Sequence, residues 1–483
     1  MPLFHEGGRA VTGSDVIASV WRTLGGAEEP LHRLTHRGAG DVLPARLPVL
    51  SAARACVAVC ALAAAEFDGR GGAAGSVTVD DGAVATAFVS ERHLRIDGRA
   101  PESFAPLSRM WRTADGWVRT HANYPWHRAA LLSALGVGAE SVESVESAMA
   151  GARSLEIEEA VYAAGGLAVA LRTPREWAAH EQGAAVARRP LLSMERVDDA
   201  AVRGGGAASA VRGGGAASVV RGAGAASAVR DRGLRPRVLD LTRVIAGPVG
   251  TRSLALLGAD VLRIDTPERP ELPDQHADTG FGKRSALLDL RRTADRRTFE
   301  ELLAGADAVV TGYRPGALDR FGLSPAALAE RRPGLVVARL SAWGDYGPWA
   351  GRRGFDSLVQ VASGIAAVEG GPERPGVLPA QALDHGTGYL LAAGVLRALT
   401  ERRAVGGSWR LEFALAQTAH WLCSLPSEPA PEGTYDSDRH LGGTDSALGR
   451  LRHARSPLVF TGGPADWRTP PGVWGGDPAR WGG

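Results

Sequence analysis

The second half of the chain alternates short apolar runs with segments of helical composition. Residues 238–241 and 259–264 are apolar runs with the length of a buried strand. Residues 250–257 between them favour a helix, which Gly258 is placed to end. A strand, a helix and a strand in such quick succession predict a parallel, right-handed βαβ unit.

The same alternation continues further along this half. It predicts strands at 285–290, 308–311 and 335–340 and a helix at 296–303. Alternating elements of this kind build an open, Rossmann-like parallel α/β sheet with helices on both faces. In such sheets the ligand crevice lies at the carboxyl ends of the strands.

The first half has a different pattern, which predicts a smaller α+β domain. Residues 52–67 form its most apolar helix, and residues 76–80 favour a strand. Residues 110–124 predict a hairpin, because Ala114-Asp115-Gly116 is turn sequence between two β-prone runs. Other helices are predicted at 15–24, 81–89, 127–135, 155–164 and 173–179, the last with Pro174 at its first position.

A glycine-rich repeat joins the two halves. Residues 200–236 repeat a short unit that places Arg203, Arg212, Arg221 and Arg230 at equal intervals. So much glycine, with no apolar face to bury, predicts a flexible linker. The sequence therefore predicts four parts. They are a small-domain-like half at 1–199, this linker at 200–236, a nucleotide-type α/β domain at 237–424 and an irregular Pro/Gly/Trp-rich tail at 425–483.

Composition narrows the class of protein. The chain has 483 residues, 45% hydrophobic and 22% charged, which suits a globular protein that buries its own cores. A formal net charge of +2 gives no reason to expect a nucleic-acid partner. Three cysteines argue against a disulfide scaffold and favour a reducing, cytoplasmic compartment. There is no apolar signal region, and the apolar run at 55–65 is shorter than the ~20 residues that cross a bilayer, so no membrane partner is expected.

Six phrases of the second half follow one another in a distinctive order. They are VLDLTRVIAGP, LGADVLRID, KRSALLDL, TGYRPGALDRFG, LSAWGDYGPWAGRRGFDSLVQVASG and PAQALDHGTGYLLAAGVLRAL. The set resembles family III CoA-transferases, the CaiB/BaiF group that includes formyl-CoA and carnitine CoA-transferases. The resemblance implies the family III CoA-transferase fold, with an acyl-CoA and a carboxylic acid as substrates, and neither a metal nor a tightly bound cofactor.

The last of these phrases carries the chemistry. By its residues, Asp384 stands before a helix expected to start near Thr387, where an Asp is usually an N-cap and the helix dipole favours its charge. In the family, the matching Asp attacks an acyl-CoA thioester. The resemblance therefore makes Asp384 the nucleophile that forms an aspartyl anhydride and then an aspartyl-CoA thioester. Gly386 and Gly388 are expected to let backbone N–H groups approach the ligand, and His385 is expected to be positional.

Other residues match positions that contact CoA in family members. A strand–helix turn and several basic side chains hold the nucleotide and pantetheine there. A single basic residue is usually a solvated surface charge, but several converging on one crevice suit a polyanion. The matching residues are Val244, Ile245 and Ala246 in the turn, Lys283 and Arg284 before a strand, and Tyr313, Arg320 and Arg353 in later loops.

The order of the parts departs from the family. RTADGWVRTHANYPWHRAALLSALG, in the first half, is similar to a phrase of the family's later small domain. A faint repeat also relates LPARLPVLSAARACVAVCALAAAEF to the segment of Asp384, but its matching position is Val49 or Ser51, so this copy supplies no nucleophile. The chain is either a permuted member or a fusion of two incomplete copies. Because relatives form interlocked homodimers, the resemblance implies a homodimer.

Three other functions compete with a CoA-transferase. A dinucleotide dehydrogenase needs G-x-G-x-x-G, which AGPVGTRS does not supply. A CoA-ester racemase of the same family needs an acid–base pair, and Phe355 stands where racemase relatives have the His. A catalytically inactive acyl-CoA-binding relative fits the altered order of parts, but the retained Asp384 opposes it.

Overall fold

The computed structural model describes residues 13–69, 75–102, 104–138, 140–200, 235–371, 373–429 and 431–482. Most of the predicted linker, residues 201–234, lies outside the described residues. The described residues form four β-sheets surrounded by helices.

The helices predicted from the sequence are present, with ends that differ by a few residues. The one with Pro174 at its first position is stabilised by a capping box between Thr173 and Glu176. The α-helices are α1 (Gly13–Thr23), α2 (Val49–Phe67), α3 (Asp81–Phe88), α4 (Ser90–His93), α5 (Pro125–Leu135), α6 (Val142–Ala150), α7 (Ser154–Ala163), α8 (Pro174–Ala179), α9 (Glu181–Ala187), α10 (Ala246–Leu256), α11 (Pro273–Thr279), α12 (Thr293–Gly305), α13 (Pro325–Arg331), α14 (Asp356–Ala362), α15 (Ile365–Glu369), α16 (Ala382–Val405) and α17 (Leu415–Ser424). Short 3-10 turns lie at Glu29–Arg33, Asp319–Phe321 and Ser437–His440.

The strands of the second half also match their predictions within a few residues. The strands are β1 (Leu34–Arg37), β2 (Val77–Asp80), β3 (Arg95–Ile96), β4 (Met110–Arg112), β5 (Trp117–Thr120), β6 (Ala168–Ala170), β7 (Leu192–Arg196), β8 (Arg237–Leu241), β9 (Asp260–Asp265), β10 (Arg284–Leu287), β11 (Ala308–Thr311), β12 (Val336–Ser341), β13 (Trp409–Ala414), β14 (Leu441–Ser446), β15 (Gly449–Ala454) and β16 (Val459–Phe460).

The largest sheet has seven strands in the order β10-β9-β8-β11-β12-β13-β7. The strands from β10 to β13 are parallel, and β7 pairs antiparallel to β13. The order reverses between β8 and β11, so a crevice is expected at the carboxyl ends of these two strands. The predicted open, Rossmann-like α/β sheet is confirmed.

Helices cover both faces of this sheet. Side chains on alternate strand positions point to opposite faces, and the two faces belong to separate apolar clusters. α10 and α16 pack on one face, and α12 and α13 pack on the other. α16 thereby brings its first turn to the carboxyl-end side of the sheet.

A pair of buried helices joins the two halves of the chain. α2, from the first half, packs along α16, and nearly every residue of both helices is buried. α2 has 19 residues and is long and apolar enough to cross a membrane by length and composition alone. In the fold, 83% of its most apolar stretch is buried inside the protein.

The smaller α+β domain lies in the first half. The predicted hairpin is the antiparallel pair β4–β5, and β6 adds a third strand. One face of this sheet packs on α5, α6 and α7 around its own apolar cluster. β5 also contacts α14 of the second half, so this domain reaches the start of that helix.

The C-terminal segment contains regular structure. β14 and β15 form a hairpin that β3 extends, and β16 pairs with β2. The prediction of an irregular tail is therefore wrong for these strands. Further on, the chain follows the edge strand β10, where the Asp477 N–H donates to the Ser285 carbonyl and the Asp477 carboxylate accepts from the Ser285 N–H, each at 2.8 Å.

Candidate active site

The turn after β8 has a strained backbone. Val244 has a φ of 67°, a left-handed conformation that a β-branched residue rarely adopts. Its N–H donates to the Glu271 carboxylate at 3.0 Å, which holds the turn in this form. Ile245 and Ala246 follow and are buried. Such strain is found mainly at functional sites, so the turn remains a candidate for contact with a ligand.

Asp384 lies inside the first turn of α16 rather than ahead of the helix. α16 begins at Ala382, and Gln381 occupies the N-cap position. The predictions of a helix start near Thr387 and of Asp384 as the N-cap are therefore wrong. The His385 N–H already donates to the Gln381 carbonyl at 3.0 Å, so helical hydrogen bonding begins earlier than predicted.

Of the two glycines after Asp384, Gly388 allows two helices to pack closely, whereas a Cβ at Gly386 would make an ordinary contact. A Cβ at Gly388 would lie 2.6 Å from the Ala246 carbonyl oxygen, and a Cβ at Gly386 would lie 3.4 Å from Cys56 Sγ on α2. Both residues lie beyond the first helical turn, where the helix's own carbonyls accept the N–H groups. The structure thus gives Gly388 a packing role against α10, and it places the N–H groups of both glycines within the helix instead of opening them to a ligand as predicted.

Two buried carboxyl groups meet at the start of α16. Asp356, the first residue of α14, accepts hydrogen bonds from the Asp384 N–H at 2.9 Å and from the Gln360 amide. Burial, followed by the charges of Asp356 and Glu91, raises the pKa of Asp384 well above its usual value. Burial also raises the pKa of Asp356, to about 6. Burial therefore opposes the predicted effect of the helix dipole, which favours the ionised form of Asp384.

The third carboxylate, Glu91, reaches this site from the first half. It lies on α4, with Oε2 3.3 Å from His385 Nε2. Burial raises the pKa of Glu91, but the hydrogen bond and charge of His385 outweigh burial and lower it. His385 is itself fully buried and stacks on Phe88 at 5.5 Å between ring centroids. These contacts suit the positional role of His385, which stays a prediction.

Four arginines gather near the carboxyl ends of the strands. Burial, followed by the charges of Arg314 and Arg269, lowers the pKa of Arg353, which places these three charges close together. The Arg269 guanidinium lies 4.7 Å from the centroid of the Trp126 ring, and that of Arg243 lies 5.7 Å from it. We call these four side chains the arginine group. Arg243 is already paired with Glu271 at 3.3 Å, so the other three members are the cations that suit a polyphosphate. The sequence analysis had singled out only Arg353.

The two basic residues before β10 already have partners. Lys283 Nζ lies 3.0 Å from the Asp240 carboxylate and 2.9 Å from the Pro248 carbonyl. Burial lowers the Lys283 pKa to about 8, although Asp240 opposes the change. The Arg284 guanidinium lies 2.7 Å from Asp260 at the start of β9. That is the amino end of the strand, whereas the crevice lies at the carboxyl ends, so Arg284 lies away from the arginine group. Lys283 is held instead by the carboxylate of Asp240 on β8.

The remaining predicted contacts follow the carboxyl end of β11. Tyr313 is half-buried, and burial followed by the charge of Asp265 raises its pKa to about 12. Arg320 is exposed, with its guanidinium 4.7 Å from the centroid of the Phe321 ring. Both residues therefore border the crevice side of the sheet. Within the described parts of the chain, no group of three or more His, Cys, Asp or Glu side chains is arranged to hold a metal ion.

Comparison with known proteins identifies the segment that carries most of these residues. Residues 233–447 match the model of CoA-transferase family III. The match covers less than half of the chain. The matched segment includes Asp384, Asp356 and all the basic residues predicted to contact CoA. The resemblance predicted from the six phrases is confirmed, and so is the family III CoA-transferase fold.

This chain covers only part of the length of each relative described below. An acetyl-coenzyme A transferase of Hypoxylon pulicicidum is 36% identical over 208 residues, which are 41% of this chain and 34% of the relative. A probable fatty acyl-CoA transferase of Mycobacterium tuberculosis is 31% identical over 230 residues, covering 43% and 58%. A crystal structure of a CaiB/BaiF family protein from Brucella suis is 25% identical, covers 44% and 64%, and has a TM-score of 0.35. The chain therefore spans less than two thirds of each of these relatives.

The family III segment does not contain every residue near Asp384. Asp356 lies in the phrase RRGFDSLVQ, where an acid directly after an aromatic residue and before an apolar helix was a signal that sequence reasoning missed. Glu91 and the buried Arg119 of β5 come from the first half, outside the family match. No local pattern marks either of them, because their approach to Asp384 and Asp356 depends on how the two halves pack.

Proposed function

We propose that the protein is a CoA-transferase that moves CoA from an acyl-CoA thioester to a carboxylic acid, with Asp384 as the nucleophile. The observation that carries this proposal is the buried Asp384 carboxyl, backed by Asp356, in the first turn of α16 within a family III segment. The partners are an acyl-CoA and a carboxylic acid. We also propose a cytoplasmic location from the cysteine content and, by the same resemblance, a homodimer.

The proposed reaction exchanges anhydride and thioester bonds without a net change in protonation. The Asp384 carboxylate attacks the thioester carbonyl, the CoA thiolate leaves, and a mixed anhydride forms. The thiolate then attacks the aspartyl carbonyl and releases the donor acid, which leaves an aspartyl-CoA thioester. The acceptor carboxylate attacks this thioester and displaces the thiolate, which forms a second anhydride. The thiolate then attacks the acceptor carbonyl, which gives the new acyl-CoA and releases the Asp384 carboxylate. Covalent catalysis of this kind divides one difficult transfer into several easier steps.

The surroundings of Asp384 support this role. A carboxylate whose pKa is raised by burial is poorly solvated, which makes its anion a stronger nucleophile once it is deprotonated. The Asp356 carboxylate accepts from the Asp384 N–H and fixes the backbone of the nucleophile. The arginine group at the carboxyl ends of the strands would hold the CoA phosphates.

A covalent adduct tests this proposal. After incubation with an acyl-CoA, mass spectrometry of the peptide that contains Asp384 should detect an attached CoA or acyl group, which hydroxylamine should release. Asp384→Asn keeps the shape of the side chain and cannot form either adduct, so it should fold while CoA exchange collapses. An Asp384→Asn protein that exchanges CoA at the parent rate would leave Asp384 with a structural role only.

An inactive acyl-CoA-binding protein is the second candidate. It is favoured by the altered order of parts, since the first half of the chain lies outside the family match at residues 233–447. A panel of acyl-CoAs and carboxylic acids separates the two functions. CoA exchange with any pair supports the transferase, whereas acyl-CoA binding without exchange across the panel supports the inactive relative.

A further inference from the structure

A short helix of the first half is fixed to the second half close to the start of α16. α4 begins at Ser90, whose buried hydroxyl donates to the Asp278 carboxylate of α11 at 2.8 Å. Arg252 of α10 binds both residues, at 3.0 Å from the Ser90 hydroxyl oxygen and 3.2 Å from the Asp278 carboxylate. Because α10 packs along α16, these bonds fix the position of α4 relative to α16.

The residue after Ser90 extends this connection to α16 itself. The Oε2 atom of Glu91 lies 3.3 Å from Nε2 of His385. Burial raises the pKa of Glu91, but the hydrogen bond and charge of His385 outweigh burial and lower it. At neutral pH, Glu91 is therefore a carboxylate that can only accept a hydrogen bond, and Nε2 of His385 is the donor.

The face of the His385 ring has a second contact with the first half. The ring is fully buried and stacks on the ring of Phe88, with centroids 5.5 Å apart and planes 30° from parallel. Phe88 ends α3, just before α4 begins. One corner of the first half thus holds this imidazole both by its face and by one nitrogen. We call Phe88, Glu91 and His385 the histidine clamp.

The histidine clamp acts on the helical turn that contains Asp384. The first N–H groups of a helix have no acceptor within the helix, and helix ends open more easily than helix centres. Two contacts oppose such opening here. The Asp384 N–H donates to the Asp356 carboxylate at 2.9 Å, and the side chain of the next residue, His385, is held by the first half. The position of the Asp384 carboxyl therefore depends on both halves of the chain.

We propose that Glu91 is a positioning residue for the nucleophile. Through His385, it holds the first turn of α16 so that the Asp384 carboxylate meets the thioester carbonyl of the acyl-CoA. In this role Glu91 makes no contact with the substrate and takes part in no bond change. The inference rests on the proposed transferase function and deepens it, because it gives a residue outside the family match at 233–447 a part in the same site.

The location of the histidine clamp predicts which kinetic constant depends on it. Displacing a reacting group by 1 Å costs about 100-fold in rate, because the reacting atoms no longer meet at the right distance and angle. Binding of the CoA phosphates is proposed for the arginine group, which the clamp does not include. Loss of the clamp should therefore lower kcat and leave the KM for acyl-CoA near the parent value.

A double-mutant cycle in the full-length protein tests whether Glu91 acts through His385. Glu91→Ala removes the acceptor, whereas Glu91→Gln keeps an acceptor oxygen without the charge. Both remove the same charge, which adds to burial in raising the pKa of Asp384, so their comparison isolates the hydrogen bond. His385→Phe keeps an aromatic ring beside Phe88 and removes the donor nitrogen. Glu146→Ala is the control, because Glu146 is an exposed acid on α6 of the first half.

We expect Glu91→Ala and His385→Phe each to lower kcat by about 10- to 100-fold, while the KM for acyl-CoA stays within about 2-fold. The double variant should be no more than about 2-fold slower than the slower single variant, because both changes remove one interaction. Glu91→Gln should keep kcat within about 3-fold of the parent, since its amide oxygen still accepts from Nε2. Glu146→Ala should match the parent.

Three results would overturn the inference. They are losses that multiply in the double variant, a Glu91→Gln protein as slow as Glu91→Ala, and a change in KM as large as the change in kcat. Circular dichroism and the melting temperature check that each variant folds. If Glu91→Ala does not fold, His385→Phe decides, and a parent kcat in that variant overturns the inference.

The two proposals fail in different ways. CoA exchange that collapses in Asp384→Asn but is unchanged in Glu91→Ala would reject this inference alone. A parent protein that exchanges no CoA would reject the transferase, and this inference with it.

Discussion

At the scale of single residues, burial opposes the ionisation of both Asp356 and Asp384, and the charge of Asp356 adds to the effect on Asp384. Burial is the first cause that raises both pKa values above 3.8, the value for an unfolded Asp. The folded protein therefore holds these protons more tightly than the unfolded chain does. The stability that they contribute is complete below about pH 4 and is lost as the pH rises through the folded-state values, about 6 for Asp356.

Replacing Asp384 by Asn should remove the loss of stability that ionisation of this buried carboxyl causes at higher pH, because Asn does not ionise. We expect the melting temperature of Asp384→Asn to exceed that of the parent protein at about pH 8, with a smaller difference at about pH 5. Differential scanning fluorimetry across this range measures the effect. Asp319→Asn, which changes an exposed acid, should show no such pH dependence. An Asp384→Asn protein less stable than the parent at the higher pH would contradict the interaction of two buried carboxyl groups.

Two basic residues predicted to bind CoA should respond differently to substitution. Lys283→Met leaves Asp240 buried without its cation, so we expect a loss of about 3 to 5 kcal/mol in the free energy of unfolding, measured by urea titration. Arg353→Ala should leave stability unchanged and raise the dissociation constant for CoA, with a larger effect at low salt because salt screens such contacts. A stable Lys283→Met protein that binds CoA weakly would restore Lys283 to the ligand site.

The sequence could predict Asp384 but not the state of its carboxyl. Its phrase carries a family motif, which is a local property. Asp356 is 28 residues away along the chain, and its contact with Asp384 depends on how α14 packs against α16. The positions of Arg119 and Glu91 near the site could not be predicted for the same reason, because they depend on how the two halves of the chain pack together.

At the scale of elements, periodicity predicted the parallel strands and missed the start of α16. Gly386 and Gly388 argue against a helix by intrinsic propensity. Packing overrides this preference, because a side chain at Gly388 would collide with the Ala246 carbonyl of α10. β7 was missed because its partner, β13, lies far along the chain, and strand propensity contains no information about such a partner.

The C-terminal segment should protect the edge of the large sheet. Its Asp477 pairs with the backbone of Ser285, and the Trp474 indole donates to Asp265 at 2.9 Å. Without residues 464–483, β10 would present unpaired backbone groups to other chains. We expect the shortened protein to melt at a lower temperature and to aggregate, as light scattering would detect. Asp477→Ala is the mild control, and a monodisperse shortened protein that melts with the parent would contradict this role.

At the scale of the whole molecule, the two halves share one core, so the second half should not fold in isolation. α16 buries its side chains against α2, and β13 pairs with β7. A fragment of residues 235–483 loses both partners and exposes their apolar surfaces to water. We expect this fragment to be poorly soluble and inactive, and co-expression of residues 1–200 should restore soluble protein. A soluble fragment that exchanges CoA by itself would show that the first half is an accessory.

During synthesis, β7 is made long before its partner strand β13. Ser408 and Asp198, which bond beside these strands, are 210 residues apart. A ribosome that adds roughly 5–20 residues per second needs on the order of 10–40 seconds to cover that distance. Throughout this interval the newly made first half carries an apolar α2 without α16 to cover it. Lower growth temperatures or an abundant chaperone should therefore raise the yield of native protein more than they would for a fold whose contacts are local.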